Sequence, residues 1–110
     1  MREPPHRGRR RERVTFLGRV QGVGFRALVS EVAAGRPVVG WVRNESDGSV
    51  RMLVEGVSGD IDALIEAIQH RRAADLEAVH REIILPEALG GGASGVLEGF
   101  RIKFNPLPDR

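Results

Sequence analysis

The stretch RVTFLGRVQGVGFRALVSEVAAGRP, residues 13–37, contains a strand pattern, a glycine-rich segment and a helix pattern in direct succession. Val14 and Phe16 alternate with a polar residue, as in a strand with one buried face. From Phe25 onward, apolar residues recur at helical spacing until a glycine and a proline end the pattern. The sequence therefore predicts a strand that passes through Gly18–Arg26 directly into a helix.

Further strand and helix patterns follow this first unit. The strand segments are PVVGWVRN (37–44), SVRMLVE (49–55), AVHREIILP (78–86) and GFRIKF (99–104). Asp47-Gly48 between the first two is a hairpin signal. A second helix, with Ser58 or Asp60 expected as its cap, carries the apolar stripe Ile61, Leu64, Ile65 and Ile68.

The order strand–helix–strand–strand–helix–strand, with an extra strand pairing late in the chain, is typical of the split βαβ arrangement. We therefore predict an α+β, ferredoxin-like α/β sandwich, in which an antiparallel sheet carries two helices on one face. Residues 1–12 are predicted to be a disordered basic arm, residues 13–104 the folded domain and residues 105–110 a C-terminal tail. GGGASG (90–95) is predicted to be a flexible loop.

Composition narrows the classes of function. The chain has 110 residues, enough for one domain, and no cysteine, which excludes disulfides and thiolate metal sites. His6, His70 and His80 match no familiar metal motif, so no metal site is predicted. Since no apolar stretch approaches the length of a membrane span or resembles a signal peptide, a cytoplasmic protein without a membrane partner is expected.

The positive charge is concentrated at the N-terminus. Residues 1–13 hold six arginines and two glutamates, a net charge of +4. Such an arm suits a nucleic-acid or membrane contact, but short basic runs are common by chance, so a solvated extension is favoured. No nucleic-acid partner is expected.

The glycine-rich segment is a candidate anion site. The first turn of a helix has unpaired N–H groups and a positive dipole end, and glycines at 18, 22 and 24 leave the backbone uncovered. Arg26, in that first turn, is able to close over a phosphate or carboxylate. The alternative is a tight turn needing positive φ, followed by a solvated arginine.

Asn44 is a candidate for the second polar group of a hydrolytic site. It ends a strand that is expected to lie near the glycine segment in the sheet. An asparagine amide holds a water molecule through its oxygen but cannot act as a general base. The alternative is that Asn44 only opens the hairpin, where asparagine is common.

The blocks GRVQGVGFR (18–26) and GWVRNESDGSV (40–50), in these elements and at this spacing, resemble the acylphosphatase family. The resemblance implies a ferredoxin-like sandwich that hydrolyses the carboxyl-phosphate bond of small-molecule acyl phosphates without a metal or organic cofactor. It also implies that Arg26 and Asn44 are catalytic. The phosphate-binding residues it implies are Gln21, Gly22, Val23, Gly24, Phe25 and Arg26. A monomer is expected.

Three other hypotheses remain open. The first is a non-catalytic anion-binding or regulatory module on the same fold. The second is a nucleic-acid binder, which would need aromatic residues on the open face of the sheet, whereas Trp41 and most of the phenylalanines are expected in the core. The third is the acylphosphatase-like domain of a larger carbamoyl-transfer protein, against which the short chain favours a free-standing enzyme.

Overall fold

A computed structural model of the chain describes residues 8–85 and 97–104. Within them, five strands and two helices follow the predicted order. They are β1 (Arg9–Gly18), α1 (Phe25–Ala34), β2 (Val39–Asn44), β3 (Val50–Val57), α2 (Ser58–Arg71), β4 (Leu76–Ile84) and β5 (Phe100–Ile102). Neither helix is long and apolar enough to cross a membrane, within the residues described.

The strands form one sheet in the order β4-β1-β3-β2-β5. Both helices pack on one face of it, so the predicted ferredoxin-like sandwich is confirmed. The sheet is mixed rather than antiparallel throughout, because β5 runs parallel to β2. β5 runs antiparallel to β4, the strand before it in the chain. β2 also runs antiparallel to the direction of β4, so β5 and β2 run the same way.

Alternation along the strands and the apolar stripes of the helices together build the core. Val14, Phe16 and Met52 face the helices and are fully buried. The predicted stripe of α2 is buried against them. Phe16 meets Phe25, the first residue of α1, edge to face with ring centroids 5.0 Å apart. This contact fixes the start of α1 over the sheet, which places the glycine segment before it.

The first strand starts earlier than predicted. β1 begins at Arg9, so residues 9–12 lie in the sheet, paired with β3 and partly with β4, and do not belong to a disordered arm. The polar composition of residues 9–12 concealed this part of the strand. Even the residue at its core position is charged, since Glu12 is only 1% exposed. The predictions for residues 1–7, 90–95 and 105–110 lie outside the described residues.

Glu12 is compensated by two arginines. Its carboxylate accepts hydrogen bonds from Arg10 Nε at 2.6 Å and from Arg81 Nε and Nη2, both at 2.9 Å. Asp62 on α2 accepts from the same two arginines, at 3.1 and 2.6 Å. The hydrogen bond from Arg81 lowers the pKa of Asp62, and the bond to Glu12 raises the pKa of Arg81. This cluster connects β1, β4 and α2.

The cluster predicts how stability depends on pH. Because the folded-state pKa of Asp62 lies below its usual 3.8, the ion pair contributes stability above that value and loses it as the pH falls further. We expect the free energy of unfolding to fall as the pH drops below about 4. Asp62→Asn should make this dependence shallower in urea titrations between pH 6 and 2.5. An unchanged pH dependence of the free energy of unfolding would show that the Asp62 ion pair does not contribute to it.

Two details differ from the prediction. Trp41 was expected in the core but lies partly exposed on the open face of the sheet, because its neighbours Gly40 and Val42 occupy the buried positions of β2. The cap of α2 is also different. Val57 stands at the N-cap in an extended conformation and no side chain caps the helix, so the prediction of Ser58 or Asp60 as the cap is wrong.

Candidate active site

The segment between β1 and α1 turns on two glycines with left-handed backbone. Gly22 has φ 77° and Gly24, directly before α1, has φ 81°. Neither is crowded: no atom lies within 4 Å of a Cβ added at Gly22, and only the Arg72 guanidinium approaches one at Gly24, at 3.8 Å. The backbone conformation therefore requires these glycines, and it leaves the first N–H groups of α1 uncovered.

Gly18 serves a different purpose. A Cβ there would overlap the carbonyl oxygen of Asp75 and come within 2.8 Å of the Glu77 nitrogen. The adjacent Arg19 N–H donates to that same Asp75 carbonyl at 2.8 Å. Gly18 thus permits close packing of β1 against the start of β4 and does not line the cavity described below, although the sequence had grouped it with the candidate anion site.

Arg26 and Asn44 line one cavity of about 200 Å³, together with the turn glycines. The blocks 18–26 and 40–50, which thirteen residues separate in the sequence, therefore meet in space. The complete lining is Val20, Gly22, Gly24, Phe25, Arg26, Ala27, Asn44, Ile102 and Phe104. Two of the predicted phosphate-binding residues are not in this lining: Val23 is exposed and Gln21 is half-buried.

The hydrogen-bond donors of Arg26 are not used by any residue that the structure describes. Within residues 8–85 and 97–104 its guanidinium makes no hydrogen bond or ion pair, and its recorded side-chain contact is with the Phe104 ring, 5.3 Å from the ring centroid. A π face attracts a cation without consuming N–H groups. The five donors of Arg26 are therefore available to an anion in the cavity.

Asn44 ends β2 on the face that packs against the helices. Its Oδ1 is buried and has no hydrogen-bond partner among the described residues. A buried amide oxygen without a partner is costly, and such atoms in native proteins are often satisfied by a water molecule or ligand. The oxygen is thus a candidate acceptor for a water held at the cavity.

Gln21 fixes the glycine turn to the β2–β3 hairpin. Its Nε2 donates to the carbonyl oxygens of Glu45 and Ser49, at 2.8 and 2.7 Å. Its side-chain amide nitrogen therefore binds the hairpin, whereas the family resemblance implied that Gln21 binds phosphate. The brace fixes the position of the turn relative to Asn44, one residue before Glu45.

The hairpin beyond Asn44 is held by its own hydrogen bonds. The Asp47 carboxylate accepts from the Ser49 backbone N–H at 2.9 Å and from its hydroxyl at 2.6 Å. These bonds lower the pKa of Asp47. The carboxylate therefore stays ionised through neutral pH, and the hairpin that presents Asn44 keeps this bond.

Sequence reasoning missed several residues of the site. Arg72, after α2, donates from Nη2 to the Val23 carbonyl at 3.1 Å and from Nη1 to Asp75 at 3.4 Å, which ties the turn to the connection between α2 and β4. No sequence signal marks it. Phe104 did carry a signal, since it shares the strand face of Phe100 and Ile102. Residues 8–85 and 97–104 contain no cluster of three or more metal-ligating side chains.

The chain resembles known proteins over most of its length. A profile of the acylphosphatase family matches residues 12–83. A protein named acylphosphatase from Salinibacter ruber is 43% identical over 89 residues, which cover 80% of this chain and 86% of that protein. The crystal structure of acylphosphatase from Bacillus subtilis superposes with a TM-score of 0.71 at 30% identity, covering 84% of this chain and 97% of that one.

A larger protein also contains a similar region. The crystal structure of HypF from T. kodakarensis matches with a TM-score of 0.69 at 28% identity. The match covers 87% of this chain but 12% of that one. The likeness therefore concerns one part of the larger protein.

Proposed function

Because this chain belongs to the acylphosphatase family, whose members hydrolyse acyl phosphates, we propose that Arg26 and Asn44 are its catalytic residues. The observation that carries the proposal is the shared cavity, in which the uncommitted guanidinium of Arg26, the glycine turn and Asn44 converge. Its substrate is a small-molecule acyl phosphate. We further propose that it acts as a cytoplasmic monomer and requires no metal or organic cofactor.

The phosphoryl group is bound by the turn and Arg26. The backbone N–H groups of residues 22–26 and the positive end of the α1 dipole face one side of the anion, and the Arg26 guanidinium donates two parallel hydrogen bonds from another. During transfer, negative charge spreads over the equatorial phosphoryl oxygens. These donors are fixed in advance, so they stabilise the transition state without reorganising.

Asn44 holds the attacking water. Its Oδ1 accepts a hydrogen bond from that water, and its amide N–H₂ donates to a phosphoryl oxygen or to the water itself. Positioning the nucleophile in line with the breaking bond removes much of the entropic cost of the reaction. Since an amide cannot take the proton, a phosphoryl oxygen of the substrate receives it.

The bond changes balance without a protein acid. The water oxygen forms a bond to phosphorus, and the bond between phosphorus and the acyl oxygen breaks. The acyl oxygen keeps the electron pair and leaves as a carboxylate, which is a weak base and needs no proton at neutral pH. The products are a carboxylate and inorganic phosphate.

Replacing Asn44 tests the proposal. Asn44→Ala should lower kcat for benzoyl phosphate by about a hundredfold or more, because the water is no longer aligned. Competitive inhibition by inorganic phosphate should change little, since Arg26 and the turn remain. Asn44→Asp, which keeps the shape but repels the phosphate, should weaken that inhibition as well.

The outcomes distinguish the alternatives. If folded Asn44→Ala retains most of its kcat, Asn44 is not the water-positioning residue. If the unmodified chain binds phosphate but releases none from benzoyl phosphate, the non-catalytic anion-binding module is the better description.

Phe104 is proposed as a positioning residue for Arg26. Its ring is 76% exposed yet stays against the guanidinium, so contact with Arg26 rather than core packing accounts for its place. Phe104→Leu should lower kcat/KM about two- to fivefold, the equivalent of one exposed cation–π contact. Phe104→Trp should restore the rate. Equal loss in both variants would indicate a role in packing alone.

A further inference from the structure

β2 and the chain from Phe100 onward present alternate residues to opposite faces of the sheet. Val42, Ile102 and Phe104 face the helices and the catalytic cavity, whereas Trp41, Arg101 and Lys103 lie on the open face. On that open face is a second cavity of about 260 Å³. Its lining is Gly40, Trp41, Leu97, Glu98, Arg101 and Lys103.

The second cavity combines an aromatic face with cations. The Lys103 ammonium lies 4.8 Å from the centroid of the Trp41 ring, and the Arg43 guanidinium lies 4.7 Å from it. Arg101 stands directly beside Trp41 in the β2–β5 register. One acidic residue, Glu98, lines the same cavity as Arg101 and Lys103, so the net charge of the lining is positive.

Arg101 and Lys103 differ from three other cations on the open face of the sheet. Arg11, Arg13 and Arg43 are each paired with a glutamate, at 2.8, 2.9 and 2.6 Å. Arg101 and Lys103 make no hydrogen bond or ion pair with any described residue. Charge that no described residue pairs therefore lies next to the partly exposed indole of Trp41, which favours a compact anion over a ligand that spreads across the whole sheet.

We propose that this cavity is a binding site for a free mononucleotide, a flat aromatic base joined to a phosphate. The base stacks on Trp41 and displaces the exposed Lys103 ammonium from the ring, because base–aromatic stacking is stronger than an exposed cation–π contact. The displaced ammonium and the Arg101 guanidinium then bind the phosphate. The cavity is smaller than those that enclose drug-sized ligands, so part of the nucleotide stays in solvent.

Trp41 is the only tryptophan in the chain, so its fluorescence reports directly on this cavity. Adenosine monophosphate should quench the emission in a saturable manner. Ribose 5-phosphate, which lacks the base, and adenosine, which lacks the phosphate, should each bind at least about tenfold more weakly. Arg101→Gln and Lys103→Gln should each weaken the nucleotide several-fold, and Arg101→Gln should leave benzoyl phosphate turnover unchanged.

Arg26→Ala separates this site from the catalytic cavity. Quenching by adenosine monophosphate should persist in that variant. The proposal is overturned if no saturable quenching occurs, or if quenching disappears with Arg26, since the phosphate would then be bound in the catalytic cavity. It is also overturned if a ten-residue oligoadenylate binds far more tightly than the mononucleotide, which would indicate a single-strand surface.

Discussion

Arg26→Ala is expected to reduce kcat/KM for benzoyl phosphate by about a thousandfold or more, the range found when an arginine that stabilises a transferring phosphoryl group is removed. The structure gives the reason. The guanidinium lines the cavity together with the glycine turn, and its donors are not used by any described residue. Its loss removes the principal positive charge that faces the phosphoryl oxygens. Initial rates of phosphate release measure the effect.

Two variants serve as controls for Arg26→Ala. Arg26→Lys keeps the charge but lacks the planar fork, so it should recover only part of the rate. Arg71→Ala removes an exposed arginine from α2 and should leave kcat/KM unchanged. Circular dichroism establishes that each variant is folded. A folded Arg26→Ala enzyme with near-normal kcat/KM would show that this residue does not bind the reacting group.

Gly18→Ala is expected to destabilise the fold by about 3 kcal/mol, through overpacking and backbone strain together. An added Cβ would overlap the Asp75 carbonyl oxygen, and the backbone has φ 129°, a conformation that residues with side chains rarely adopt. Backbone atoms cannot move aside as a flexible side chain can. Urea unfolding, with a constant m-value, measures the change in the free energy of unfolding.

Gly22→Ala is the matched comparison, taken from the same segment. Its φ of 77° is also positive, but no atom lies within 4 Å of the added Cβ. Only backbone strain applies, so a loss of about 1–2 kcal/mol is expected. If both substitutions destabilised the protein equally, close packing against β4 would not explain the glycine at position 18.

These glycines also show what the sequence is able to predict. The segment between strand and helix was recognised from its composition, and its left-handed turns at Gly22 and Gly24 follow from local chemistry. The purpose of Gly18 did not follow, since it depends on a carbonyl 57 positions along the chain. Glu12 is similar, because its arginine partner Arg81 lies on β4.

In the candidate site, too, the residues in local sequence blocks were predicted and those that depend on tertiary contacts were not. Arg26 and Asn44 lie in short blocks with recognisable spacing, and the cavity brings both together. Arg72 and the bracing role of Gln21 depend on tertiary contacts, so no local pattern indicated them. Trp41 was misplaced because its strand is apolar on both faces, and the alternation alone does not say which face the helices cover.

Phosphate release from benzoyl phosphate by the unmodified chain, in excess chelator, tests the central claim most directly. We expect steady turnover well above the uncatalysed rate. The chelator should not reduce it, because the hydrogen-bond donors of the turn and Arg26, with a positioned water, suffice for the chemistry. A folded chain that binds phosphate but gives no turnover above background would contradict the proposed reaction. Activity that disappears with chelator would contradict the proposed absence of a metal.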